Sequence, residues 1–162
     1  MIIMPIFELQ LILNMSSFHQ TTYQIIFATK SRERTITETH CNELYKYIWG
    51  IVKNHNCHLY QINGVEDHLH IVSDLHPTIS LADYVKNIKV ASSLWIKQTG
   101  GFPLFKGWQD GYGAFTYSKE ERDTIINYVK NQKEHHKKES FTEEYKRILD
   151  EQGIRFDEKY LL

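Results

Sequence analysis

Runs of apolar and polar residues along the chain predict two kinds of secondary-structure element. Short runs rich in β-branched and aromatic residues are typical of strands, whereas apolar residues three or four positions apart indicate helices that bury one face. The predicted strands cover residues 23–28, 58–65, 68–73 and about 113–117. The predicted helices begin near Thr37, Ser80 and Ser118 and end near residues 54–56, 98 and 139, and another helical segment follows Ser140.

The order of these elements predicts the fold class. They alternate as β-α-β-β-α-β, and a tyrosine-bearing helix follows the last strand. This is the pattern of an α+β, ferredoxin-like protein with an antiparallel sheet and helices on one face. The short gap between the second and third strands indicates an antiparallel hairpin. Because this architecture hosts many activities, function has to be inferred from particular residues.

Length and composition predict the domain organisation. The chain has 162 residues, 41% of them hydrophobic, which suits one domain with a sizeable core. We expect this domain over residues 15–139 and a C-terminal tail over 140–162. Residues 1–14 are strongly apolar but lack Lys and Arg, unlike a signal peptide, and are too short to span a bilayer. We interpret them as an extension before a natural start at Met15; an added strand or a partner-binding segment is the alternative.

Charge and cysteine content restrict the classes of site. The net charge of -1 gives no global positive field, so a nucleic-acid site has to depend on local basic patches. Cys41 and Cys57 match no zinc-type spacing, and thiols of this kind are typical of a reducing cytosol, so we expect a cytoplasmic protein. Cys57 with His55 and His58 is a second metal-site hypothesis, but no other half of a ligand set accompanies it.

The pair His68 and His70 is the first candidate for chemistry. Side chains alternate between the faces of a strand, so both imidazoles project from one side, with their Cβ atoms roughly 7 Å apart. Neutral imidazoles in this arrangement can share a metal ion and leave coordination positions free for substrate oxygens. The alternative is two histidines on a half-exposed sheet face without a function. Asp67 is expected to face the other side of the sheet, and we leave it out as a ligand.

Tyr128 and Gln132 form the second candidate pair. Four residues apart on a helix, they lie on one face. A phenol can act as a nucleophile, and an amide oxygen can bind a metal ion. The alternative is an aromatic core residue beside a solvated glutamine. His135 and His136, farther along, are expected to be exposed rather than to bind metal.

Together these pairs resemble one known family. The run DHLHIV at Asp67–Val72 resembles the histidine–hydrophobe–histidine motif of HUH nucleases, and YVKNQ at Tyr128–Gln132 resembles the tyrosine helix of the insertion-sequence-200-like single-tyrosine transposases. The resemblance covers about Thr22 to Lys138. Further similar segments are Lys30–Arg32, Gly64–His68, Phe105–Gln109 and Gly111–Phe115.

The resemblance implies a mechanism. His68, His70 and Gln132 would hold one Mg²⁺ or Mn²⁺ that polarises the scissile phosphate. Tyr128 would attack single-stranded DNA with hairpin ends and form a 5′-phosphotyrosine, leaving a free 3′-hydroxyl; strand joining is the reverse reaction. The family also implies a homodimer in which each active site combines one subunit's histidines with the other's tyrosine helix.

Contacts to DNA are predicted for two segments. No Asp or Glu occurs from Tyr84 to Gln109, where lysines alternate with aromatic residues that could stack on unpaired bases. A basic turn follows the first strand. The candidates are Lys30, Arg32 and Arg34 in the turn and Lys86, Lys89 and Trp95 in the acid-free interval.

Several other functions share parts of this pattern. A non-catalytic ferredoxin-like RNA- or metal-binding module would form no covalent DNA adduct, and a domesticated relative would nick hairpin DNA without moving an element. A rolling-circle replication initiator shares the HUH chemistry but more often has a different tyrosine arrangement and a helicase portion. A two-histidine phosphoesterase requires two H-x-T/S motifs, and only His76-Pro-Thr78 is present.

Overall fold

Four strands form one antiparallel sheet in a computed structural model that describes residues 19–161. The apolar extension at residues 1–14 lies outside the described residues. The strands are β1 (Tyr23–Ala28), β2 (Leu59–Val65), β3 (His68–Ser73) and β4 (Gly113–Thr116), and their order across the sheet is β2-β3-β1-β4. This order is the one that the ferredoxin-like β-α-β-β-α-β pattern produces, so the predicted fold class is confirmed.

Five α-helices accompany the sheet in the described part of the chain. They are α1 (Glu38–Asn54), α2 (Leu81–Thr99), α3 (Arg122–Lys130), α4 (Gln132–His135) and α5 (Phe141–Glu151). The predicted continuous helix to residue 139 was wrong, because α3 ends at Lys130 and Asn131 leaves helical geometry with φ -99° and ψ 17°. Local caps explain two of the helix starts: the Ser80 hydroxyl accepts from the Asp83 amide, and Ser140 forms a capping box with Glu143.

The two faces of the sheet are covered by different helices. Ile25, Phe27, Leu69 and Ile71 point to the face that packs against α1 and α2, as predicted for the two crossover helices. The opposite face is not left open, because α3 packs on Val72 and α5 packs on the alternate residues of β1. As a result β3 is buried along its whole length.

The β2–β3 hairpin positions the first residue of β3. Gly64 pairs with Leu69, and a Cβ atom at Gly64 would lie 2.2 Å from the carbonyl oxygen of His68. Only glycine therefore allows the two strands to approach this closely. Among the described residues, no helix has the length and apolar content needed to cross a membrane.

Candidate active site

His68 and His70 project from the same face of β3, towards the helices that follow β4. Both are 0% exposed, and their ring centroids are 5.1 Å apart. Alternation along the strand sends Leu69 to the opposite face, into the main core. The two imidazoles are thus buried rather than half-exposed. Their contacts come from residues of α3, α4 and α5.

Glu144 of α5 supplies a carboxylate at the centre of this enclosed space. Its Oε2 atom lies 3.7 Å from Nε2 of His68 and 3.4 Å from Nε2 of His70. Glu144 is 1% exposed. A carboxylate is rarely buried to this extent without charged or metal partners, so its position makes this space the candidate functional site.

His136 is the third imidazole beside Glu144. Its Nε2 atom lies 3.0 Å from Oε2 of Glu144, and its ring centroid is 4.5 Å from that of His68. The expectation that His135 and His136 are exposed was wrong. The helix break at Asn131 and the short helix α4 turn the chain back, so that His136 is 11% exposed and His135 packs its half-buried ring on Tyr128 at 4.7 Å.

Tyr128 and Gln132 both contact Glu144 within the same chain. The Tyr128 hydroxyl donates to Oε1 of Glu144 and accepts a 2.9 Å hydrogen bond from Nη2 of Arg147. The Gln132 side-chain amide donates to the same Oε1 atom at 2.8 Å, and Gln132 is 0% exposed. The candidate nucleophile and the two strand histidines are therefore neighbours, with the Tyr128 and His70 ring centroids 6.4 Å apart.

Asp67 was expected on the other side of the sheet, and this was wrong. Asp67 precedes the first residue of β3, so strand alternation does not apply to it, and its Oδ1 atom lies 2.7 Å from Nδ1 of His68. A carboxylate that accepts from Nδ1–H leaves Nε2 of His68 as the free lone pair. The amide of Gln24 is placed similarly, 3.0 Å from Nδ1 of His70. To bind a metal ion through Nε2, His70 must carry its proton on Nδ1. The Gln24 amide would then turn its oxygen towards Nδ1 and accept that proton in a hydrogen bond.

The donor atoms at this site fit a divalent metal ion. Of the seven buried side-chain atoms without a hydrogen-bond partner among the described residues, five lie at this site: Nε2 of His68, His70 and His136, Oε1 of Gln132 and Oε2 of Glu144. One ligand atom from each of the three histidines and Glu144 lies within 4.8 Å of the others. Buried polar atoms are normally paired, and a cation between these unpaired atoms would satisfy them together.

The local electrostatics keep His68 and Glu144 in ligand form, whereas for His136 burial lowers the pKa but the adjacent Glu144 carboxylate outweighs it and raises that pKa. Burial lowers the pKa of His68 to about 4, which leaves the imidazole neutral at pH 7. Burial alone would raise the pKa of Glu144, but His136 and His70 outweigh it and hold that pKa far below its usual range. For Tyr128, burial and then the Glu144 carboxylate raise the pKa of the phenol, so the hydroxyl is protonated.

The six predicted DNA-binding residues divide into two groups. Lys30, Arg32 and Arg34 are all exposed, and Arg32 donates to Thr142 at the start of α5, on the site side. In the α2 group, Lys86 is exposed, but the Lys89 amino group donates to three carbonyls, at 2.5, 3.0 and 3.0 Å. Trp95 stacks on Tyr47 at 5.0 Å and packs against the main core. Since α1 and α2 cover the other face of the sheet, this second group lies away from Tyr128.

A cavity of about 670 Å³ opens beside the site. Its walls include Asp67 and His136 from the site, and Arg32, Arg34 and Lys133 from the surface. The cavity therefore connects the basic turn after β1 with the imidazole cluster.

The other candidate motifs take no part in this arrangement. Nδ1 of His76 lies 2.7 Å from the Thr78 hydroxyl within one turn, and Cys57 is a buried free thiol. Within residues 19–161, the three-histidine and Glu144 cluster is the one group found that could hold a metal ion. The hypothesis of a site on His55, Cys57 and His58 is not supported.

The comparison with known protein families agrees with the site geometry. The sequence model of the family described as "Transposase IS200 like" matches residues 17–132. The chain belongs to this family. Family membership makes it a transposase-type, DNA-processing protein, and it confirms the resemblance drawn from the HLH and YVKNQ motifs. A comparison with curated proteins gave no match.

Solved structures share the fold of this IS200-like transposase. One, from Deinococcus radiodurans R1 and assigned as a transposase, is 24% identical with a TM-score of 0.58, over 72% of this chain and 95% of that one. Another, a REP-associated tyrosine transposase bound to a REP hairpin, is 14% identical with a TM-score of 0.56, over 75% and 74% of the chains. At sequence identities of 24% and 14%, these structural similarities support the fold alone.

Proposed function

We propose that this IS200-like transposase cleaves and rejoins single-stranded DNA through a covalent 5′-phosphotyrosine on Tyr128. One observation carries the proposal. The Tyr128 hydroxyl donates to the Glu144 carboxylate, and the same carboxylate lies beside the imidazoles of His68, His70 and His136. A phenol held beside a group of metal-ligand side chains suits attack on a phosphodiester. We further propose that the reaction takes place in the cytoplasm.

The chemistry is an exchange of phosphate esters. The Tyr128 oxygen forms a bond to phosphorus, the bond to the 3′ oxygen breaks, and the proton lost by the phenol is balanced by one taken up at that oxygen. When bound by His68, His70 and Gln132, Mg²⁺ or Mn²⁺ would supply positive charge to the phosphate.

Arg147 and Glu144 hold the Tyr128 side chain ready for this step. Because the pKa of the phenol is raised, the hydroxyl needs stabilisation as it loses its proton. Nη2 of Arg147, at 2.9 Å from the phenol oxygen, provides a positive charge at the atom where negative charge develops. The acceptor Oε1 of Glu144 fixes the direction of the O–H bond.

The DNA would enter through the cavity beside the cluster. Arg32 and Arg34 line this cavity and can bind backbone phosphates there, and Lys30 is an exposed cation in the same basic turn. A similar fold carries a REP hairpin in the REP-associated tyrosine transposase, and we propose hairpin ends as the substrate here. Of the α2 group, Lys86, Lys89 and Trp95, only Lys86 is exposed, so that group is the weaker DNA-contact prediction.

The homodimer with exchanged tyrosine helices stays a prediction. In the single chain, Tyr128 already contacts Glu144 beside the histidines, so a composite site requires α3 to leave this position and replace its counterpart. Mixing a His68→Ala subunit with a Tyr128→Phe subunit decides between the two arrangements. Restored cleavage in the mixed dimer supports exchange; no recovery supports a site within one chain.

The direct test of the function is incubation of the metal-loaded protein with hairpin-flanked single-stranded oligonucleotides. We expect a protein–DNA adduct that resists denaturation and that is absent in Tyr128→Phe. Tyr47→Phe is the matched control, because Tyr47 lies on α1 and stacks on Trp95, which packs against the core on the other face of the sheet. No adduct from the wild-type protein with either Mg²⁺ or Mn²⁺ would favour a non-catalytic nucleic-acid-binding module instead.

A further inference from the structure

We propose that Glu144, in the C-terminal helix α5, is a ligand of the metal ion and that, with His136, it completes a four-residue site on His68 and His70. The inference rests on the proposed function for the presence of a metal ion. It gives the C-terminal tail, which carries no recognised motif, a direct part in the active site. It also extends the ligand set beyond Gln132.

Two of the three distances around Oε2 of Glu144 are those of atoms that share one ion, and the third, to Nε2 of His68, is about 0.3 Å longer. Ligands bound about 2.1 Å from a metal at angles of about 90–109° lie roughly 3.0–3.4 Å from one another. Oε2 lies 3.0 Å from Nε2 of His136, 3.4 Å from Nε2 of His70 and 3.7 Å from Nε2 of His68. None of these contacts has the geometry of a hydrogen bond, and all four atoms are buried without a hydrogen-bond partner.

The cost of burying Glu144 supports the same conclusion. A carboxylate that is 1% exposed loses almost all of its hydration, and one of its oxygens has no hydrogen bond in return. Such burial is strongly unfavourable unless a cation or a set of donors compensates. A divalent ion between Oε2 and the imidazoles would compensate for it.

The second oxygen of Glu144 connects this site to the nucleophile. Oε1 accepts hydrogen bonds from the Tyr128 hydroxyl and from the Gln132 amide. The same carboxylate therefore faces the histidines with one oxygen and holds the nucleophile with the other. Gln132 uses its nitrogen to hold Glu144, and its oxygen stays unpaired in the site.

Helix α5 is anchored in a way that fixes the Glu144 side chain. Its first turn is closed by the Ser140–Glu143 capping box. Phe141 and Tyr145, one turn apart, pack on the β1 and β4 face of the sheet with the apolar residues of the last two turns. Because Glu144 lies between these anchors, little side-chain freedom is left to lose when it binds an ion.

The test is metal binding by the full-length, metal-free protein, measured by calorimetry with Mn²⁺ and Mg²⁺ and by the Mn²⁺ electron paramagnetic resonance signal. Glu144→Gln keeps the shape but removes the charge, and we expect its dissociation constant for Mn²⁺ to rise about tenfold or more. Asp150→Asn is the control, because it removes an exposed carboxylate from the same helix, and its affinity should equal that of the wild type. Equal affinity in Glu144→Gln and wild type overturns the proposal.

A second variant keeps the test valid if Glu144→Gln does not fold. His136→Gln removes one imidazole, and the proposal expects a comparable loss of Mn²⁺ affinity; unchanged affinity overturns it. The result is also separable from the proposed function. A wild-type protein that forms no DNA adduct but binds Mn²⁺ through Glu144 refutes the activity alone, whereas a protein that forms the adduct with metal affinity independent of Glu144 refutes this inference alone.

Discussion

Replacing Glu144 by alanine should destabilise the metal-free protein far more than replacing it by glutamine. Alanine removes the acceptor of two hydrogen bonds, from the half-buried Tyr128 hydroxyl and from the buried Gln132 amide, and leaves the Gln132 donor buried without this partner. A buried hydrogen bond to a charged group contributes about 1.5–3 kcal/mol, and loss of one partner from a buried charged network costs about 3–5 kcal/mol. We therefore expect Glu144→Ala to lower the free energy of unfolding by about 3–5 kcal/mol.

Glutamine keeps the volume and most of the hydrogen bonds. Its amide oxygen can accept from Tyr128 and Gln132 in place of Oε1, and its amide nitrogen can donate to a neutral imidazole in place of Oε2. Only the charge is lost, so we expect Glu144→Gln to cost about 1–2 kcal/mol. The difference between the two variants separates hydrogen bonding from charge.

Urea unfolding in the presence of a chelator, followed by circular dichroism, measures both values. Asp150→Asn serves as the reference for an exposed carboxylate on α5 and should stay within about 0.5 kcal/mol of the wild type. A cost below about 1 kcal/mol for Glu144→Ala would refute the reasoning, because it would mean that the carboxylate is not the centre of a buried network.

Two further substitutions test the supports of the site. A Cβ atom at Gly113 would lie 2.7 Å from the Tyr145 hydroxyl, so we expect Gly113→Ala to displace α5. The melting temperature should fall, and Mn²⁺ binding measured by calorimetry should weaken. Wild-type values for both would show that α5 tolerates the contact. Asp67→Asn weakens the partner of Nδ1 in His68, and we expect about a 10–100-fold loss of Mn²⁺ affinity with the fold retained. Unchanged affinity in Asp67→Asn would show that Asp67 does not orient the imidazole.

The sequence predicts the local geometry of the site well where a single element determines it. His68 and His70 face the same side because strand alternation requires only two residues of separation. The spacing of Tyr128 and Gln132 likewise brings both to Glu144, even though the helix breaks between them at Asn131. Asp67 was misplaced for a local reason, since alternation was extended one residue beyond the strand.

The contribution of the C-terminal tail could not be predicted from local patterns alone. Glu144 reaches the histidines only because α5 packs on the sheet across a long sequence separation. One signal was present in the sequence. Phe141, Glu144, Tyr145 and Ile148 follow the spacing of an apolar helix stripe, and a lone acid on such a stripe is a sign of a buried functional carboxylate. No sequence pattern indicated that His136 lies at the site, because the position of its side chain depends on the helix break at Asn131.

The most direct test of the central claim is to locate the DNA on the protein. After reaction with a hairpin-flanked oligonucleotide and nuclease digestion, tryptic peptides can be analysed by tandem mass spectrometry. We expect a nucleotide joined through its 5′ phosphate to Tyr128 within the peptide DTIINYVK, residues 123–130. A nucleotide attached to any other residue, or an adduct that persists in Tyr128→Phe, would contradict it.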